Sequence, residues 1–305
     1  MMRKCRGWRR VAVAMAMVAA GIALQACSQT AGSGPDFSTL SSVRADTARE
    51  RSTVPIGGGL KVDVYAREPS RLASLLGTGP KATAPVLLYV HGGGWVKGSR
   101  EKVYNLPAYA QSRGYLLVSV DYRPLPQNTI DGQVKDVVSS INWVRNNIAA
   151  YGGDPGRIVI MGHSSGSHLV ALIGARKLGG SLRGIVANDV QAYDLPAYYR
   201  LRKNSMDPIY RKAFGANPAT WVKYSPITYV PQNSGFPPFL IMHSGSNGER
   251  RRALAEAFAA KLRQKGTPVT LFDGKAYSHG TIASSIGRSA AVTQALDRFL
   301  KAVYR

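Results

Sequence analysis

The pentapeptide Gly162-His163-Ser164-Ser165-Gly166 is the feature that most constrains the fold of this chain. An apolar run, Arg157–Met161, precedes it, and a second apolar run, Leu169–Ile173, follows it. This order predicts a strand, a sharp turn and a helix, with the Ser164 hydroxyl exposed at the carboxyl end of the strand. Glycine on both sides of the turn avoids side chains that would collide there.

A glycine-rich loop is predicted further upstream. The strand-like Val86–Val90 runs directly into His91-Gly92-Gly93-Gly94-Trp95. Backbone N–H groups in such a loop can approach a substrate oxygen closely. Acyl-transfer enzymes need these donors because negative charge develops on the carbonyl oxygen, and one donor is worth ~3–4 kcal/mol. We expect His91 to orient this loop rather than to transfer protons.

A candidate general base follows the last predicted strand. His279 comes after the strand-like Pro268–Phe272, where its imidazole can reach a serine at a neighbouring strand end and accept its proton. His163 and His168 flank the nucleophile and are interpreted as structural. His243 ends an earlier strand, where the loop expected to carry the triad acid begins. His279 is therefore the predicted base.

These motifs, with several further phrases, resemble the α/β-hydrolase superfamily. Within it the chain is similar to the esterase/lipase group with a His-Gly-Gly-Gly loop, near the hormone-sensitive-lipase-like and feruloyl-esterase-like branches. The resemblance covers residues 58–304, and the further phrases are Leu60–Tyr65, Val120–Arg123, Tyr151–Ile158, Tyr193–Leu195 and Ser225-Pro226. It implies an oxyanion hole formed by the N–H groups of Gly93, Gly94 and Ser165. It also implies ester hydrolysis through an acyl-enzyme, with no metal and no cofactor.

The third member of the triad is less clearly marked. In the family an aspartate usually lies in the loop after the strand matched by Phe239–His243, and alignment by strand end puts Asn247 there. Asparagine can hold the tautomer of an imidazole but cannot supply an anion. Glu249 has the charge and a longer reach, although a carboxylate there would also favour a helix N-terminus. We predict Glu249 as the acid, with Asn247 as the alternative position, and place Asp273 and Asp194 outside the expected loop.

The remaining pattern predicts an α/β fold for residues 56–305. Leu60–Ala66 alternates as a partly exposed antiparallel strand does, and Tyr115–Val120 is apolar as a buried strand is. Ile130–Ala150 has apolar residues at helical spacing. Strands that alternate with helices predict a mostly parallel central sheet with helices on both faces. Residues 193–230, rich in tyrosine and proline, are interpreted as a small cap-like insertion near the active site.

The start of the chain predicts export and lipid attachment. Residues 1–26 combine a basic segment with the apolar stretch Val11–Leu24, which is shorter than the ~20 residues that a bilayer span needs. Leu24-Gln25-Ala26-Cys27-Ser28 resembles a lipoprotein cleavage box, with Cys27 as the lipidated residue; an uncleaved anchor is the alternative. Residues 27–55 are predicted to be a flexible tether. The expected location is the bacterial cell envelope, at the periplasmic face of a membrane.

Cysteine content and charge limit the partners. Cys5 and Cys27 are the two cysteines, so no internal disulfide is expected after cleavage. The net charge is +23, and residues 1–26 carry five basic and no acidic residues, which leaves about +18 on the rest. Such a charge favours an anionic membrane surface. The sequence has no zinc-finger spacing or RNA-binding motif, and nucleic acid is not expected as a partner.

Three functions remain open at this stage. The first is a serine carboxylic-ester hydrolase acting on a small or aryl ester. The second is an arylformamidase-like amidohydrolase that would use the same serine on a formamide. The third is a catalytically weak envelope-binding protein on a hydrolase scaffold, which the asparagine at position 247 and the positive charge motivate. Acyl and alcohol specificity depend on cap geometry, which the sequence does not reveal.

Overall fold

The computed structural model describes residues 50–66, 83–288 and 290–305. The predicted signal peptide, Cys27 and most of the predicted tether lie outside these ranges. The end of the predicted tether, residues 27–55, is corrected: Glu50–Gly57 forms strand β1, which pairs antiparallel with Leu60–Ala66, strand β2. An edge strand shows little apolar signal because one face meets solvent. Here Val54 and Ile56 are half-buried and pack against the core.

Eight strands form one sheet. The strands are β1 (Glu50–Gly57), β2 (Leu60–Ala66), β3 (Ala84–Val90), β4 (Leu116–Val120), β5 (Gly153–His163), β6 (Gly184–Asn188), β7 (Phe239–Ser244) and β8 (Val269–Gly274). Their spatial order is β1-β2-β4-β3-β5-β6-β7-β8. The pairs β1–β2 and β2–β4 are antiparallel, and β4-β3-β5-β6-β7-β8 pair in parallel. The carboxyl ends of these parallel strands therefore meet at one edge, which is where ligands bind in open α/β sheets.

The described α-helices connect these strands. They are α1 (Leu106–Ser112), α2 (Ile130–Asn147), α3 (Ser165–Ala175), α4 (Leu195–Leu201), α5 (Pro208–Phe214), α6 (Pro218–Lys223), α7 (Gly248–Gln264), α8 (Thr281–Ser284) and α9 (Ala290–Val303). Two 3₁₀ turns, Ile148–Tyr151 and Pro226–Tyr229, complete the set in this part of the chain. In the described ranges no helix has the length and apolar content needed to cross a bilayer.

The core lies on both faces of the sheet. In β3 the side chains of Val86, Leu88 and Val90 join one apolar cluster, with residues of α2, α3 and α7, while Leu87 and Tyr89 join the other, with residues of α1 and α9. A strand covered on both faces has no polar face, so its sequence is a continuous apolar run. The predicted parallel sheet with helices on both faces is confirmed.

Three short helices form the insertion between β6 and β7. Each of α4, α5 and α6 begins with proline in its first turn, and the N-cap side chain, Asp194, Asp207 or Asn217, accepts a backbone N–H. Proline and an oxygen-bearing cap residue are the usual start of a helix. We call residues 193–230 the cap. Tyr210 of the cap packs edge-on against Trp95 of the glycine loop, with ring centroids 5.2 Å apart.

Candidate active site

Ser164 lies at the sharp turn that the pentapeptide predicts. Strand β5 ends at His163 and α3 begins at Ser165, which leaves Ser164 between them with a φ of +57°. A positive φ on a residue other than glycine is strained, and such strain is common at functional sites. The turn is tight: a Cβ on Gly162 would overlap the Gly166 backbone, and one on Gly166 would overlap the carbonyl of Val90. Strand, turn and helix are therefore present as predicted.

His279 contacts Ser164 directly. It lies between β8 and α8, and its Nε2 is 3.0 Å from Ser164 Oγ. The backbone of His279 makes two hydrogen bonds to neighbouring residues. The His279 N–H donates to Ser246 Oγ at 2.8 Å, and its carbonyl accepts a hydrogen bond from His163 Nε2 at 2.8 Å. The structure thus brings the predicted nucleophile and the predicted base together.

The carboxylate at the imidazole is Asp189. The Nδ1–H of His279 donates to Asp189 Oδ2 at 2.7 Å, and the Asp189 side chain is fully buried. Asp189 follows β6 directly and has a φ of +63°. This arrangement fixes the histidine tautomer, so that Nε2 is free to accept the proton of Ser164. The residue was missed in the sequence, although an aspartate directly after an apolar strand is a usable signal.

The predicted acid positions, Glu249 and Asn247, are corrected by this geometry. Glu249 lies in the first turn of α7 with its side chain 88% exposed, and it pairs with Arg252 at 2.6 Å. Asn247 is the N-cap of α7 in the left-handed region, at φ +58°. An imidazole has one Nδ1–H, and in this structure Asp189 accepts it. Asp194 caps α4 and Asp273 is exposed, as expected for carboxylates outside the triad.

Asp189 is surrounded by donors. Ser244 gives it two hydrogen bonds, from the backbone N–H at 2.8 Å and from Oγ at 2.7 Å, and Arg251 lies 3.1 Å from Oδ1. Burial alone would raise the pKa of Asp189, but the hydrogen bond from His279 and the positive charge of Arg251 outweigh it and lower that pKa. The carboxylate is therefore ionised at neutral pH and able to stabilise an imidazolium.

The glycine loop lies against the nucleophile. A Cβ on Gly92 would touch Ser164 Cβ, and Gly93 has a φ of +147° that favours glycine. The buried His91 ring stacks on Tyr122, with centroids 4.3 Å apart, and its Nδ1–H donates to Gly92 O at 2.9 Å. These contacts are consistent with the orienting role expected of His91.

Tyr122 ties this loop to the start of α3. Its hydroxyl donates to His91 O at 3.2 Å and lies 3.1 Å from Ser165 Oγ. The N–H groups of Gly93 and Gly94, in the loop, and of Ser165, at the helix start, thus belong to segments that meet beside Ser164. The predicted oxyanion-hole donors are these three N–H groups.

His163 and His168 are both buried beside the site. Burial lowers the pKa of each to about 4, so both are neutral at physiological pH. His168 accepts a hydrogen bond from Trp95 Nε1 at 3.2 Å and donates to Tyr224 O at 2.7 Å, which links the glycine loop to the cap. The His163 ring lies 4.7 Å from that of His279. Each histidine therefore contacts a neighbouring segment of the site, and the structural role predicted for both stays a prediction.

A cavity of ≈ 230 Å³ opens in front of Ser164. The glycine loop contributes Gly94 and Trp95 to its walls, and Ile209 of the cap is close enough to Gly94 that a Cβ there would touch it. The cap also contributes Tyr198, Arg202, Asp207 and Tyr210, and Arg251 lies at the same cavity. Among the described residues, no group of three or more His, Cys, Asp or Glu side chains could hold a metal ion.

A mostly parallel sheet with serine, aspartate and histidine after β5, β6 and β8 defines the α/β-hydrolase fold with a Ser-His-Asp constellation. The BD-FAE family model matches residues 75–262, more than half of the chain. The chain belongs to the BD-FAE family of α/β-hydrolases, which confirms the group that the two motifs indicate.

Curated relatives and solved structures agree with this assignment. The chain is 32% identical to Esterase LipQ of Mycobacterium tuberculosis, over 84% of this chain and 63% of the relative. It is 29% identical to the Probable carboxylic ester hydrolase LipM of the same organism, over 73% of this chain and 55% of the relative. An arylesterase structure superposes with a TM-score of 0.65 at 21% identity, covering 84% of this chain and 86% of that one. The chain spans less than two-thirds of the length of these curated relatives.

Proposed function

We propose that this chain is a serine carboxylic-ester hydrolase acting on a small or aryl ester. The observation that carries the proposal is the connected series Ser164 Oγ, His279 and Asp189, with hydrogen bonds of 3.0 and 2.7 Å. A serine hydroxyl is a weak nucleophile at its own pKa and needs a base within hydrogen-bond reach. His279 is within that reach, and the buried carboxylate holds its tautomer.

The reaction follows from these contacts in two halves. In the first, Ser164 Oγ attacks the ester carbonyl while His279 Nε2 takes its proton. The tetrahedral oxyanion accepts hydrogen bonds from the N–H groups of Gly93, Gly94 and Ser165. His279 then returns the proton to the departing alcohol, which leaves an acyl group on Ser164.

The second half hydrolyses the acyl-enzyme. A water molecule replaces the alcohol, His279 takes its proton, and the hydroxide attacks the acyl carbon. Collapse of the second oxyanion returns a proton to Ser164 Oγ and releases the carboxylic acid. Throughout, Asp189 remains ionised and stabilises the imidazolium.

The comparisons support an ester as substrate. Several curated relatives are named as esterases, carboxylic ester hydrolases or methylesterases. The envelope-binding alternative was motivated by the asparagine at position 247 and by the positive charge, and the buried Asp189 removes the first of these two motives. A formamide could enter the same machinery, and we propose the ester because the names of the relatives favour it.

The test is hydrolysis of 4-nitrophenyl acetate by the purified chain. We expect Ser164→Ala to lower kcat/KM by roughly 10⁴-fold or more, because the covalent route is lost. Ser139→Ala, an exposed serine on α2, is the matched control and should leave the rate unchanged. A fluorophosphonate probe should label Ser164, as read by mass spectrometry. Hydrolysis that survives in Ser164→Ala would refute the proposal, and formanilide in place of the ester tests the amidohydrolase alternative.

We further propose that the chain is lipid-anchored at the periplasmic face of a bacterial membrane through Cys27. The basic segment, the short apolar stretch and the Leu-Gln-Ala-Cys box support this proposal. Metabolic labelling with a radioactive fatty acid should mark the full-length chain but not a Cys27→Ser variant. Label retained by Cys27→Ser would contradict it. The positive charge would add electrostatic attraction to anionic lipid.

A further inference from the structure

The charged side chains at the walls of the cavity in front of Ser164 are two carboxylates and two guanidinium groups. The carboxylates at its walls are Asp189 and Asp207, and the guanidinium groups are Arg202 and Arg251. Arg251 forms an ion pair with Asp189, and its Nη1 lies 3.1 Å from Asp189 Oδ1. A third guanidinium, that of Arg250, is outside the lining but contacts two lining residues, Gln191 and Tyr198. The described surroundings of the cavity thus contain three cations for two anions.

Arg202 lines the cavity from the cap, at the C-terminal end of α4. Its Nη1 lies 3.2 Å from Asp207 Oδ2 and 3.4 Å from the hydroxyl of Tyr198, and its charge lies 5.8 Å from the centre of the Tyr198 ring. Asp207 has a second partner, because it is the N-cap residue of α5 and its Oδ1 accepts a hydrogen bond from the backbone N–H of Ile209. Among the described residues, no acceptor contacts Nε or Nη2 of Arg202, so one edge of the guanidinium remains available for a ligand.

Arg250 adds a second cation at the same tyrosine. Its guanidinium lies 5.7 Å from the centre of the Tyr198 ring, and its Nε donates to Gln191 Oε1 at 2.7 Å. Tyr198 and Gln191 both line the cavity. Two guanidinium groups from different segments of the chain therefore lie within 6 Å of the centre of the Tyr198 ring. One of them, Arg202, pairs with a carboxylate, and the charge of the other is not offset by an ion pair within the described residues.

The size of the cavity brings Arg202 and Ser164 within the span of one small molecule. Both residues line the same ≈ 230 Å³ of space, below the 300–1,000 Å³ typical of drug-sized ligands. An arginine with a free edge binds a carboxylate through two parallel hydrogen bonds, and a carboxylate would also offset the excess charge. A neutral apolar group would leave the N–H donors without partners.

We propose that Arg202 is a specificity-determining residue, and that the substrate is a short ester bearing a free carboxylate, which Arg202 binds while Ser164 attacks the ester carbonyl. This inference rests on the proposed ester hydrolysis. The carboxylate can belong to the acyl part or to the leaving group of the ester, and the two arrangements require different probes.

The experiment compares matched ester pairs that differ in one charge. For an anionic acyl group the pair is monomethyl glutarate and its neutral amide analogue, methyl 4-carbamoylbutanoate. For an anionic leaving group the pair is 4-acetoxybenzoate and 4-acetoxybenzamide. We expect kcat/KM to favour the carboxylate of at least one pair by about 10- to 100-fold, the ratio expected for hydrogen bonds to a charged group.

Two variants assign the preference. Arg202→Gln should lower kcat/KM for the preferred carboxylate ester by about 10- to 100-fold, so that the ratio within the pair falls to near one. Arg200→Gln removes the same charge from an exposed position on the same helix and is the matched control for long-range electrostatic attraction. It should leave the ratio as it is. Equal kcat/KM values within both pairs for the parent chain would overturn the proposal, as would an equal loss on both members of a pair in Arg202→Gln.

A binding measurement separates this inference from the proposed reaction. Calorimetry with the Ser164→Ala chain and the same four esters detects the anion site without turnover. Tighter binding of a carboxylate ester than of its amide, lost in Ser164→Ala/Arg202→Gln, supports the site even if the parent chain cleaves no ester. Cleavage of 4-nitrophenyl acetate without any such difference would leave the reaction standing and refute the role of Arg202.

Discussion

The loops after β6 and β7 begin at neighbouring positions, and both contribute to the carboxylate contact with His279. Asn188 of β6 pairs with Met242 of β7, so both strands deliver their next residues to the same edge of the sheet. The β6 loop supplies the carboxylate, Asp189. The β7 loop, where the sequence interpretation put the acid, carries no group that contacts the imidazole. Neighbouring strands lie less than about 5 Å apart, so either loop is within reach of the same histidine.

The end of β7, the loop after it and the start of α7 instead hold Asp189 and His279 by hydrogen bonds. Ser244 donates twice to Asp189, and Ser246 Oγ accepts the backbone N–H of His279 at 2.8 Å. Arg251, in the first turns of α7, donates its Nε–H to Ser246 O and places its charge on Asp189. One loop carries the anion and the other stabilises it. Because the two strand ends are adjacent, a carboxylate in either loop would lie near the same imidazole, and in this structure the β6 loop provides it.

The largest expected effect comes from the β6 loop. Asp189→Asn keeps the shape of the side chain but removes its charge, and the amide N–H₂ opposes the required tautomer of His279. We expect kcat/KM for 4-nitrophenyl acetate to fall by roughly 10³- to 10⁴-fold. Asp273→Asn, an exposed aspartate in β8, is the control and should stay within about twofold of the parent. A loss below tenfold in Asp189→Asn would mean that another group acts as the acid.

A smaller effect is expected from the β7 side of the same contact. Ser244→Ala removes the hydroxyl that donates to Asp189 Oδ2 at 2.7 Å, the oxygen that also accepts from His279. The backbone N–H of residue 244 remains. We expect kcat to fall by about tenfold, since a hydrogen bond to a charged group is worth ~1.5–3 kcal/mol and part of it is recovered by relaxation. A loss as large as that of Asp189→Asn would contradict the supporting role given to this loop.

A change in pH dependence is expected from Arg251. Its positive charge helps to lower the pKa of Asp189, so replacement by methionine lets that carboxylate take up a proton at a higher pH. Activity requires the ionised carboxylate. The loss of kcat/KM that comes from protonation of Asp189, at the acid end of the profile, should therefore begin at a higher pH in Arg251→Met. Arg251→Lys keeps the charge and should leave the acid limb closer to its original position. A shift to lower pH in Arg251→Met would refute this electrostatic account.

Much of the fold could be predicted because buried parallel strands have apolar sequences and the helix Ile130–Asn147 has a clear period. Ser164 and His279 could be predicted because one lies in a local motif and the other directly after the last strand. The position of Asp189 directly after an apolar strand makes it one candidate, but several strand ends meet at one edge, and the sequence does not show which of them faces the imidazole. Strand β1 was missed because an edge strand needs backbone partners more than apolar side chains.

The smallest expected effect concerns Glu249, the acid favoured from the sequence. Its carboxylate is exposed, at 88%, and pairs with Arg252 on the same helix. An exposed pair of this kind contributes little to stability because solvent screens it, and a charge in the first turn of a helix adds a similarly small amount. Glu249→Gln should leave kcat/KM within about twofold and lower stability slightly, as measured by urea unfolding. A loss of activity comparable to that of Asp189→Asn would restore the β7 loop as the source of the acid. Such a result would require α7 to move in the substrate complex. In this structure Glu249 pairs with Arg252, and Asp189 accepts the hydrogen bond from the imidazole of His279.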